Sequence, residues 1–486
     1  MSKFQSAESY SNDKYKLLPI RFSEAYDNKY IVTNMVGEYE ILDFDIINRL
    51  VNNDVIHDKN LLGRLYSKHF IYDGTDHTAL KLLGLKYRSK ISRLKEFTSL
   101  HMVVVSLRCD YTCSYCQVSR QGLKADFDKY DMSIKTADKV IDLIFSSPSK
   151  GIKVEFQGGE SLLNFKIIKY ITEICHLRGI QENRNVQFVI ATNLSMLDDE
   201  IINFIKKYNI YVSTSLDGPR SLHDRNRPKP ENDGYDLTIK GIKNIQENVS
   251  LSQVTALMTT TGRSLDYGIE IVDEYIKNDL SAIFLRPLSP YGFAITKKQI
   301  NQYDTDRWLE FFKNTLDYII NINKNGYNLM EQYSSLILTK ILSPKDLGYV
   351  DLQSPSGAMI GGIIYDYDGS VYASDEARMQ AAMGNFKFKL GHVDENSYEE
   401  MIGGEFILDA IDKSMSVSVP SCTSCAFLPY CGSDPVYHFA TQNNVVGNKQ
   451  ISGYCKKNMG VFKHLINLLE NSDEETKRIL QSWVRY

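Results

Sequence analysis

The sequence predicts an α/β protein built around a partial, TIM-like (β/α)6 barrel, with a small α+β module before it and a cysteine-rich region after it. Six short apolar strands alternate with helix-length amphipathic stretches in the central part of the chain. Strands rich in valine, isoleucine and phenylalanine that are each followed by a helix are typical of a parallel sheet buried on both faces. Six units fall short of the eight that close a full barrel, so we expect a partly open one.

Length and composition indicate a globular protein of several domains. The chain has 486 residues, of which 43% are hydrophobic and 24% charged, as in ordinary globular proteins. Lysine plus arginine number 56 against 60 aspartate plus glutamate, and no long basic block occurs, which argues against a nucleic-acid partner. The polar start "MSKFQSAESYSNDKYK" lacks the apolar core of a secretory signal, and no window of about 18 apolar residues is present. We therefore expect a cytoplasmic protein without a membrane partner.

The barrel elements follow one another along the chain. The predicted strands are "MVVVS", "KVEFQ", "QFVIAT", "IYVSTSLD", "VTALMTT" and "AIFLRP". The segments of helical periodicity between them include 134–146, 163–177, 235–247 and 268–278.

The flanking regions have different patterns. Before the barrel, strand-like runs are followed by amphipathic helices, the first capped by Asp43 or Asp45, which predicts a small α+β module. After the barrel, 305–345 is helical, "IIYDYDGSVYASDEAR" predicts a hairpin around Asp368 and Gly369, and a last helix is predicted at 457–485. The predicted domains are the module at 1–95, the barrel at 96–300, a helical linker at 301–350 and the cysteine-rich domain at 351–486.

Three cysteines stand close together in "SLRCDYTCSYCQ", in the loop after the first barrel strand. Cys109, Cys113 and Cys116 have the spacing Cys-x3-Cys-x2-Cys. Active sites of parallel α/β folds gather at the carboxyl ends of the strands, where this loop lies. Three thiolates can hold three irons of a [4Fe-4S] cube and leave the fourth iron open to a substrate. Part of a zinc site, or three unrelated thiols, are the alternatives.

Four further cysteines lie near the end of the chain, at Cys422, Cys425, Cys431 and Cys455. Four thiolates fill every protein-supplied position, which suits an electron-transfer cluster or a structural zinc ion equally well. The eighth cysteine, Cys175, lies in a helical pattern and is predicted to be a buried small hydrophobic residue.

The first cysteine motif resembles the signature of radical S-adenosylmethionine (SAM) enzymes, in which SAM binds the fourth iron. The resemblance continues after the next three strands, in "QGGES", "ATN" and "SLDGPRSLHDRNR". Ser161 stands where the family usually has proline, and the glycine that often follows the third motif is absent. It implies that Gln157, Gly158, Gly159, Glu160, Thr192 and Asn193 line the site, that Ser215 and Arg227 bind the SAM carboxylate, and that Tyr115 lies near adenine.

Elementary chemistry agrees with these implied roles. Arginine can clamp a carboxylate through two hydrogen bonds, and Glu160 can pair with an ammonium group. Taken singly, the glycines fit a plain turn, and Ser215, Asp217 and Arg227 fit a helix-cap network. Asp217 is the candidate proton acceptor, although its position in a turn favours a structural role.

The last four cysteines resemble the SPASM extension of peptide-modifying radical SAM enzymes, which usually holds two auxiliary [4Fe-4S] clusters. Ligands of one of these clusters are missing, because Ser374 and Pro435 occupy the places of expected cysteines. The resemblance thus implies a single auxiliary cluster. The tyrosine- and aspartate-rich hairpin is then either a surface hairpin, the favoured interpretation, or part of the substrate site.

Several segments resemble the His-Xaa-Ser system radical SAM maturases, among them "KFQSAESYSNDKYKLLPIRF", "QVSRQ", "FLRPLSPYGFA" and "SDEARM". The resemblance implies an enzyme that cleaves SAM reductively to a 5′-deoxyadenosyl radical and modifies a ribosomally made peptide or small protein, such as a His-Xaa-Ser repeat partner. It also implies a second radical SAM protein and a ferredoxin- or flavodoxin-type reductant. A tRNA- or cofactor-modifying enzyme and a non-catalytic, metal-bearing chaperone are the alternatives. The N-terminal module is either a winged-helix-like peptide-recognition domain that adds the peptide to a sheet edge, or a scaffold.

Overall fold

A computed structural model describes residues 15–74, 77–95, 97–296, 303–345 and 347–485. The first fourteen residues, on which the absence of a secretory signal and part of the maturase resemblance depend, lie outside these ranges. Within them, no helix combines the length and apolar character needed to cross a membrane.

A nine-stranded sheet forms the centre of the molecule, and its first seven strands are parallel. In spatial order the strands are Leu285–Arg286, Val254–Thr259, Tyr211–Ser215, Asn185–Ala191, Gly151–Gly158, Leu100–Ser106, Gly362–Tyr365, Ser370–Tyr372 and Lys389–His392. The α/β barrel fold predicted from the sequence is therefore present. In these first six positions, strands that are consecutive in the chain are neighbours in the sheet. Because they are parallel, their carboxyl ends lie at one edge.

The helices between these strands lie close to their predicted positions. They span Ile134–Ser146, Phe165–Gln181, Asp199–Tyr208, Arg220–Asn226, Gly234–Asn248 and Gly268–Lys277. Serine and aspartate begin several of them, as when the Ser133 hydroxyl accepts a hydrogen bond from the Thr136 amide. Cys175 lies on the second helix with no exposed surface, as predicted for a small core residue.

The sixth predicted strand forms in two pieces. Ala282–Ile283 pairs with Met330–Glu331, whereas Leu285–Arg286 pairs with the fifth barrel strand. The break falls at Phe284, whose carbonyl accepts a hydrogen bond from the amide of Arg286 and so turns the backbone locally. Arg286 therefore stands at the carboxyl end of the second piece.

The hairpin around Asp368 and Gly369 forms as predicted, but its placement on the surface was wrong. Gly362–Tyr365 pairs in parallel with Leu100–Val103, so the hairpin continues the barrel sheet beyond its first strand. Both strands are buried, and all of their residues except Ser370 are apolar, as is typical of a sheet covered on both sides. Gly369 supplies the turn with a φ of 92°.

Two predicted helical stretches are interrupted. The stretch 305–345 is a helix at Thr305–Lys324, the short strand Met330–Glu331 and a helix at Gln332–Leu342, with a left-handed Gly326 between them. The terminal helix predicted at 457–485 is Gly453–Asn471 followed by Glu474–Ser482. Asp473 starts the second of these by accepting a hydrogen bond from the amide of Thr476. The remaining helices of four or more residues after the hairpin are Asp375–Ala382, Tyr398–Gly403, Glu405–Ser414 and Pro435–Gln442.

The residues before the barrel form a three-stranded antiparallel sheet with three helices. Their bounds are Ile20–Tyr26, Lys29–Asn34, Tyr39–Asp43, Phe44–Val51, Lys59–Ser67 and His77–Lys90, and a small ribbon pairs Lys16–Leu17 with Ile71–Tyr72. Asp43 occupies the cap position of the first helix without bonding it, and instead pairs with Lys29 at 2.8 Å. The sheet and helices enclose a core of their own.

This module is fastened to the loop that carries the late cysteines. The Arg21 side chain donates a 2.7 Å hydrogen bond to the carbonyl of Thr423, and the Thr33 hydroxyl donates one of 2.7 Å to the carbonyl of Ala426. In return, the phenol of Tyr430 donates to the carbonyl of Gly37. The cysteine loop therefore rests on the N-terminal sheet.

Candidate active site

A cavity of about 250 Å³ opens at the carboxyl ends of the barrel strands, and we call it the barrel cavity. Residues from the ends of the barrel strands and from the loops after them line it together. They include Cys109, Cys113, Cys116, Tyr115, Gln157, Gly158, Gly159, Thr192, Asn193, Ser215 and Arg227. The structure thus brings together all the residues predicted to bind SAM or its cluster except Glu160.

The three-cysteine loop is held by the chain that follows the fourth strand. The amide of Thr112 donates a 2.8 Å hydrogen bond to the carbonyl of Pro228, and the amide of Ser114 donates one of 3.0 Å to the carbonyl of Asn226. These contacts set the positions of the cysteines relative to Arg227, which lies between the two acceptors in sequence.

The three thiols of this loop line the barrel cavity together. Among the described residues, no three histidine, cysteine, aspartate or glutamate side chains converge closely enough to hold a single ion. In an iron–sulfur cube each cysteine binds a different iron, so the ligands surround a wider space. Burial raises the pKa of the Cys113 thiol to about 12, and a metal group would supply the positive charge that stabilises its thiolate.

Gly158 and Gly159 allow two backbone segments to touch. Gly158 has a φ of 145°, which side chains rarely adopt. A Cβ on Gly159 would lie 2.4 Å from the carbonyl oxygen of Arg108 and 2.5 Å from that of Leu107. The second strand can therefore approach the root of the cysteine loop only if this position has no side chain.

Replacing Gly159 with alanine is expected to lower the free energy of unfolding by about 3 kcal/mol, because both clashing atoms belong to the backbone. Gly151, at the start of the same strand, provides the matched control, since nothing lies within 4 Å of a Cβ added there. Gly151→Ala should change stability by less than about 0.5 kcal/mol. Denaturant unfolding of both variants checks this, and equal stability would contradict the close approach.

Glu160 lies behind the cavity wall. Its carboxylate accepts hydrogen bonds from the Thr192 hydroxyl at 2.6 Å and from the amides of Asn193 at 2.7 Å and Leu162 at 3.0 Å. Burial raises the pKa of this carboxyl to about 7. The structure therefore gives Glu160 a role in positioning Thr192 and Asn193, and its pairing with an ammonium group stays a prediction. Ser161 ties the same two strand ends together, because its hydroxyl donates to the carbonyl of Ala191 at 2.7 Å.

Asp217 is also outside the cavity and organises two residues that line it. Its side chain has no exposed surface, and one carboxylate oxygen lies 3.1 Å from Nε of Arg227. The other oxygen accepts a 2.7 Å hydrogen bond from the phenol of Tyr115. The guanidinium carbon of Arg227 lies 5.2 Å from the centre of the Tyr115 ring, a favourable cation–π contact. This buried network supports the structural interpretation of Asp217.

The late cysteines line a second cavity of about 210 Å³, the four-cysteine cavity, which includes Cys422, Cys425, Cys431 and Cys455. Burial raises the pKa of the Cys425 thiol to about 11. As in the barrel cavity, the thiols do not converge on the position of one ion. The cluster and the zinc ion both stay open as predictions for this cavity.

The two positions that lack expected cysteines begin helices. The Ser374 hydroxyl accepts a hydrogen bond from the amide of Ala377 and caps Asp375–Ala382. Pro435 is the first residue of Pro435–Gln442, where a missing amide hydrogen has no cost. Both residues have a local structural function in place of metal binding.

A third cavity of about 270 Å³ lies between the other two, and we call it the tyrosine chamber. Its lining is rich in aromatic and charged residues, namely Tyr291, Tyr333, Tyr349, Tyr437, Tyr454, Trp308, Arg286, Asp351, Glu376, Asp434 and Lys457. Arg286 lines both the chamber and the barrel cavity, and Tyr454 lines both the chamber and the four-cysteine cavity. The three cavities are therefore in sequence.

The sequence patterns did not predict this chamber, although one stretch of the sequence contributes residues to it. The stretch "SDEAR" places Asp375 on the barrel cavity and Glu376 on the chamber, at the first turn of one helix. The alternative interpretation of the hairpin region, as part of the substrate site, includes these two residues. Burial raises the pKa of the Glu376 carboxyl, and the nearby Asp351 carboxylate raises it further.

Comparison with protein families matches residues 103–260 to the model described as the radical SAM superfamily. An uncharacterized protein of Methanocaldococcus jannaschii is 31% identical over 193 residues, which are 39% of this chain and 63% of that protein, less than two thirds of its length. The radical SAM cyclopropyl synthase TigE of Paramaledivibacter caminithermalis is 23% identical, over 82% of this chain and 79% of TigE. A cysteine-type anaerobic sulfatase-maturating enzyme of Clostridium novyi is 22% identical, over 76% of this chain and 98% of that enzyme.

Solved structures share the fold. Native anSMEcpe with bound AdoMet and Cp18Cys peptide aligns with a TM-score of 0.63 at 18% identity, over 77% of this chain and 99% of that one. Streptococcus suis SuiB bound to precursor peptide SuiA aligns with a TM-score of 0.53 at 16% identity, over 90% of this chain and 98% of that one. The fold, the cysteine loop and the matched segment together define a radical SAM domain. The chain is homologous to anaerobic sulfatase-maturating enzymes and shares its fold with SuiB.

Proposed function

We propose that this enzyme is a maturase that modifies a ribosomally made peptide or small protein after translation. The observation that carries the proposal is the sequence of three cavities, in which the tyrosine chamber shares Arg286 with the barrel cavity and Tyr454 with the four-cysteine cavity. A radical made in the barrel cavity is then next to a substrate in the chamber. The four-cysteine cavity lies on the other side of the chamber, where a cluster bound in it would receive an electron.

The residues of the barrel cavity would hold a [4Fe-4S] cluster and SAM. Cys109, Cys113 and Cys116 would bind the cluster, which together with SAM supplies a 5′-deoxyadenosyl radical by one-electron reduction. Arg227 and Ser215 would bind the carboxylate of SAM, with the guanidinium oriented by Asp217. The glycines at 158 and 159 let the second strand approach the cysteine loop that would hold the cluster.

The four-cysteine cavity would hold a single auxiliary [4Fe-4S] cluster. Its four thiols fill one position on each iron, so the cluster would have no open site for a substrate. Tyr454 connects this cavity to the chamber, and Cys455 follows it directly in sequence. A cluster in this place would be a one-electron acceptor for a product radical.

The tyrosine chamber would receive a substrate residue and exclude water from it. Aromatic side chains supply apolar contact surface, and their hydroxyls supply polar contacts at low entropic cost. Lys457 lies over the rings of Tyr333 and Tyr454, with its ammonium nitrogen 5.2 Å and 5.1 Å from their centres. Such a lining holds a peptide segment in one orientation, which a radical reaction requires for selectivity.

The relatives support a peptide as the substrate class. One homologue is described as a sulfatase-maturating enzyme, and solved structures with this fold are described with a bound peptide. We extend the proposal to a His-Xaa-Ser repeat protein as substrate, a second radical SAM protein as partner, and a ferredoxin- or flavodoxin-type reductant in the cytoplasm. The sequence resemblance supports these finer assignments.

The N-terminal module has two proposed roles. Its three-stranded sheet has outer strands at Ile20–Tyr26 and Tyr39–Asp43, and an added peptide strand would extend such a sheet. Its hydrogen bonds to Thr423 and Ala426 support a second role, in which it holds the auxiliary-cluster loop.

Anaerobic incubation with SAM, a strong reductant and the small His-Xaa-Ser-type partner is expected to yield 5′-deoxyadenosine and a change in the partner's mass. Mass spectrometry of the partner and chromatography of the nucleoside measure both products. A matched reaction without SAM should leave the partner unchanged. Deoxyadenosine formation with an unaltered partner would reject this substrate and leave the enzyme class intact.

A further inference from the structure

One buried side chain connects the tyrosine chamber to a ligand of the four-cysteine cavity. Tyr333 lines the chamber, and its phenol donates a 2.7 Å hydrogen bond to Oδ1 of Asn458. The amide nitrogen Nδ2 of Asn458 donates a 3.5 Å hydrogen bond to Sγ of Cys431, in the four-cysteine cavity. Tyr333 and Asn458 are 2% and 0% exposed. The two cavities are thus linked by three side chains that form direct hydrogen bonds.

The chemistry of the groups sets the direction of this chain. A thiolate sulfur only accepts hydrogen bonds, so the amide nitrogen of Asn458 must face Cys431. Its oxygen then needs a donor, and the hydroxyl of Tyr333 is that donor. The helix Gly453–Asn471 places Cys455 three residues before Asn458, on the same face. The helix therefore delivers both a cluster ligand and a donor to a second ligand.

Structural packing alone does not require this arrangement. An apolar pair of similar size would fill the same space without the cost of burying an amide and a hydroxyl. The observed pair instead directs an N–H dipole at a sulfur ligand. Hydrogen bonds to ligand sulfurs raise the reduction potential of iron–sulfur clusters, because they stabilise the added negative charge.

We propose that Asn458 is a positioning residue that stabilises the reduced state of the auxiliary cluster, and that Tyr333 couples this effect to the contents of the chamber. The inference rests on the proposed function, since it requires a cluster at the four cysteines. A substrate group that competes for the hydroxyl of Tyr333 would release the Asn458 side chain from its orientation. The hydrogen bond from Asn458 to Cys431 would then weaken, and the reduction potential of the auxiliary cluster would fall. Substrate occupancy and electron acceptance would thereby be linked.

The test uses the full chain with Cys109, Cys113 and Cys116 replaced by alanine, so that only the four-cysteine cluster contributes to the spectra. A redox titration monitored by electron paramagnetic resonance measures the reduced fraction of the four-cysteine cluster at fixed potentials. Asn458→Leu is expected to lower the ratio of reduced to oxidised cluster about tenfold, the effect of one hydrogen bond to a charged group. Iron should remain at about four atoms per chain.

Tyr333→Phe provides a second variant that keeps the aromatic ring and removes only the hydroxyl. It should shift the titration in the same direction by a smaller amount, because the amide of Asn458 loses its orientation and not its hydrogen. Tyr327→Phe is the matched control, since the Tyr327 phenol donates to the carbonyl of Leu280 at 3.2 Å. That variant should titrate like the parent.

Each remaining outcome is decisive. Unchanged titrations in both variants, with iron present, would overturn the inference and leave the auxiliary cluster in place. A shift in Asn458→Leu alone would overturn the coupling to the chamber. Zinc in place of iron would reject the auxiliary cluster together with the inference, whereas the barrel cluster is tested separately by the iron of the unaltered chain.

Discussion

Replacing Cys109, Cys113 or Cys116 with alanine is expected to abolish the formation of 5′-deoxyadenosine from SAM. The three thiols line one cavity with the residues proposed to bind SAM, and each holds a different iron of the proposed cube. Loss of one ligand opens a second iron to solvent and removes the cluster. Bound iron should fall from about eight atoms per chain to about four after anaerobic reconstitution. Iron analysis and nucleoside chromatography measure the two effects.

Two controls separate this effect from general damage. Cys175→Ala removes a fully buried thiol far from both motifs in sequence, and should retain all iron while costing about 1 kcal/mol of stability. Cys425→Ala should also lower iron to about four atoms, yet retain SAM cleavage. Full iron and deoxyadenosine production in Cys113→Ala would reject the assignment of the barrel cavity.

Local patterns in the sequence were sufficient to predict the barrel and the position of its three-cysteine loop. The strands and helices of 100–278 depend on apolar periodicity over short distances, and the structure has them close to the predicted bounds. The cysteine loop and Gly158–Gly159 follow strand ends, so a parallel sheet necessarily brings them to one edge. For the same reason Thr192 and Ser215 could be placed beside them.

The exact roles of buried acids could not be predicted, because they depend on contacts between distant residues. Glu160 accepts its bonds from Thr192 and Asn193, more than thirty residues away, and Asp217 bonds Tyr115 across 102 residues. Their residue types fit ligand binding and structural support equally well. Only the observed hydrogen bonds distinguish the two.

Sequence motifs could not predict the tyrosine chamber, for a related reason. Its walls come from the end of the barrel, the helices Thr305–Lys324 and Gln332–Leu342, the helix Asp375–Ala382 after the hairpin, and the last long helix. No spacing rule connects Arg286 with Glu376 or Lys457. The hairpin itself was misplaced because its "YDYDGS" turn has a surface composition, whereas the apolar run "GGIIY" before it forms a buried strand.

Arg227→Gln is expected to weaken SAM binding about 100-fold, because a charged pair with a carboxylate contributes roughly 2–3 kcal/mol when buried. Asp217→Asn should weaken it about tenfold, since Arg227 then loses the anion that orients it. The asparagine variant should also lose about 3 kcal/mol of stability, as expected when a buried arginine is left without its partner. Equilibrium binding of SAM and denaturant unfolding measure the two quantities.

The double variant distinguishes direct binding by Arg227 from indirect positioning by Asp217. If Asp217 acts only through Arg227, adding Asp217→Asn to Arg227→Gln should weaken SAM binding no further, because the group it orients is already absent. The same addition should cost less stability than in the parent, since no unpaired cation remains. Arg220→Gln is the matched control, because Arg220 forms an exposed pair with Asp236 on the same segment and should change neither quantity appreciably. A further loss of affinity in the double variant would show that Asp217 contacts SAM itself, contrary to its position behind the cavity wall.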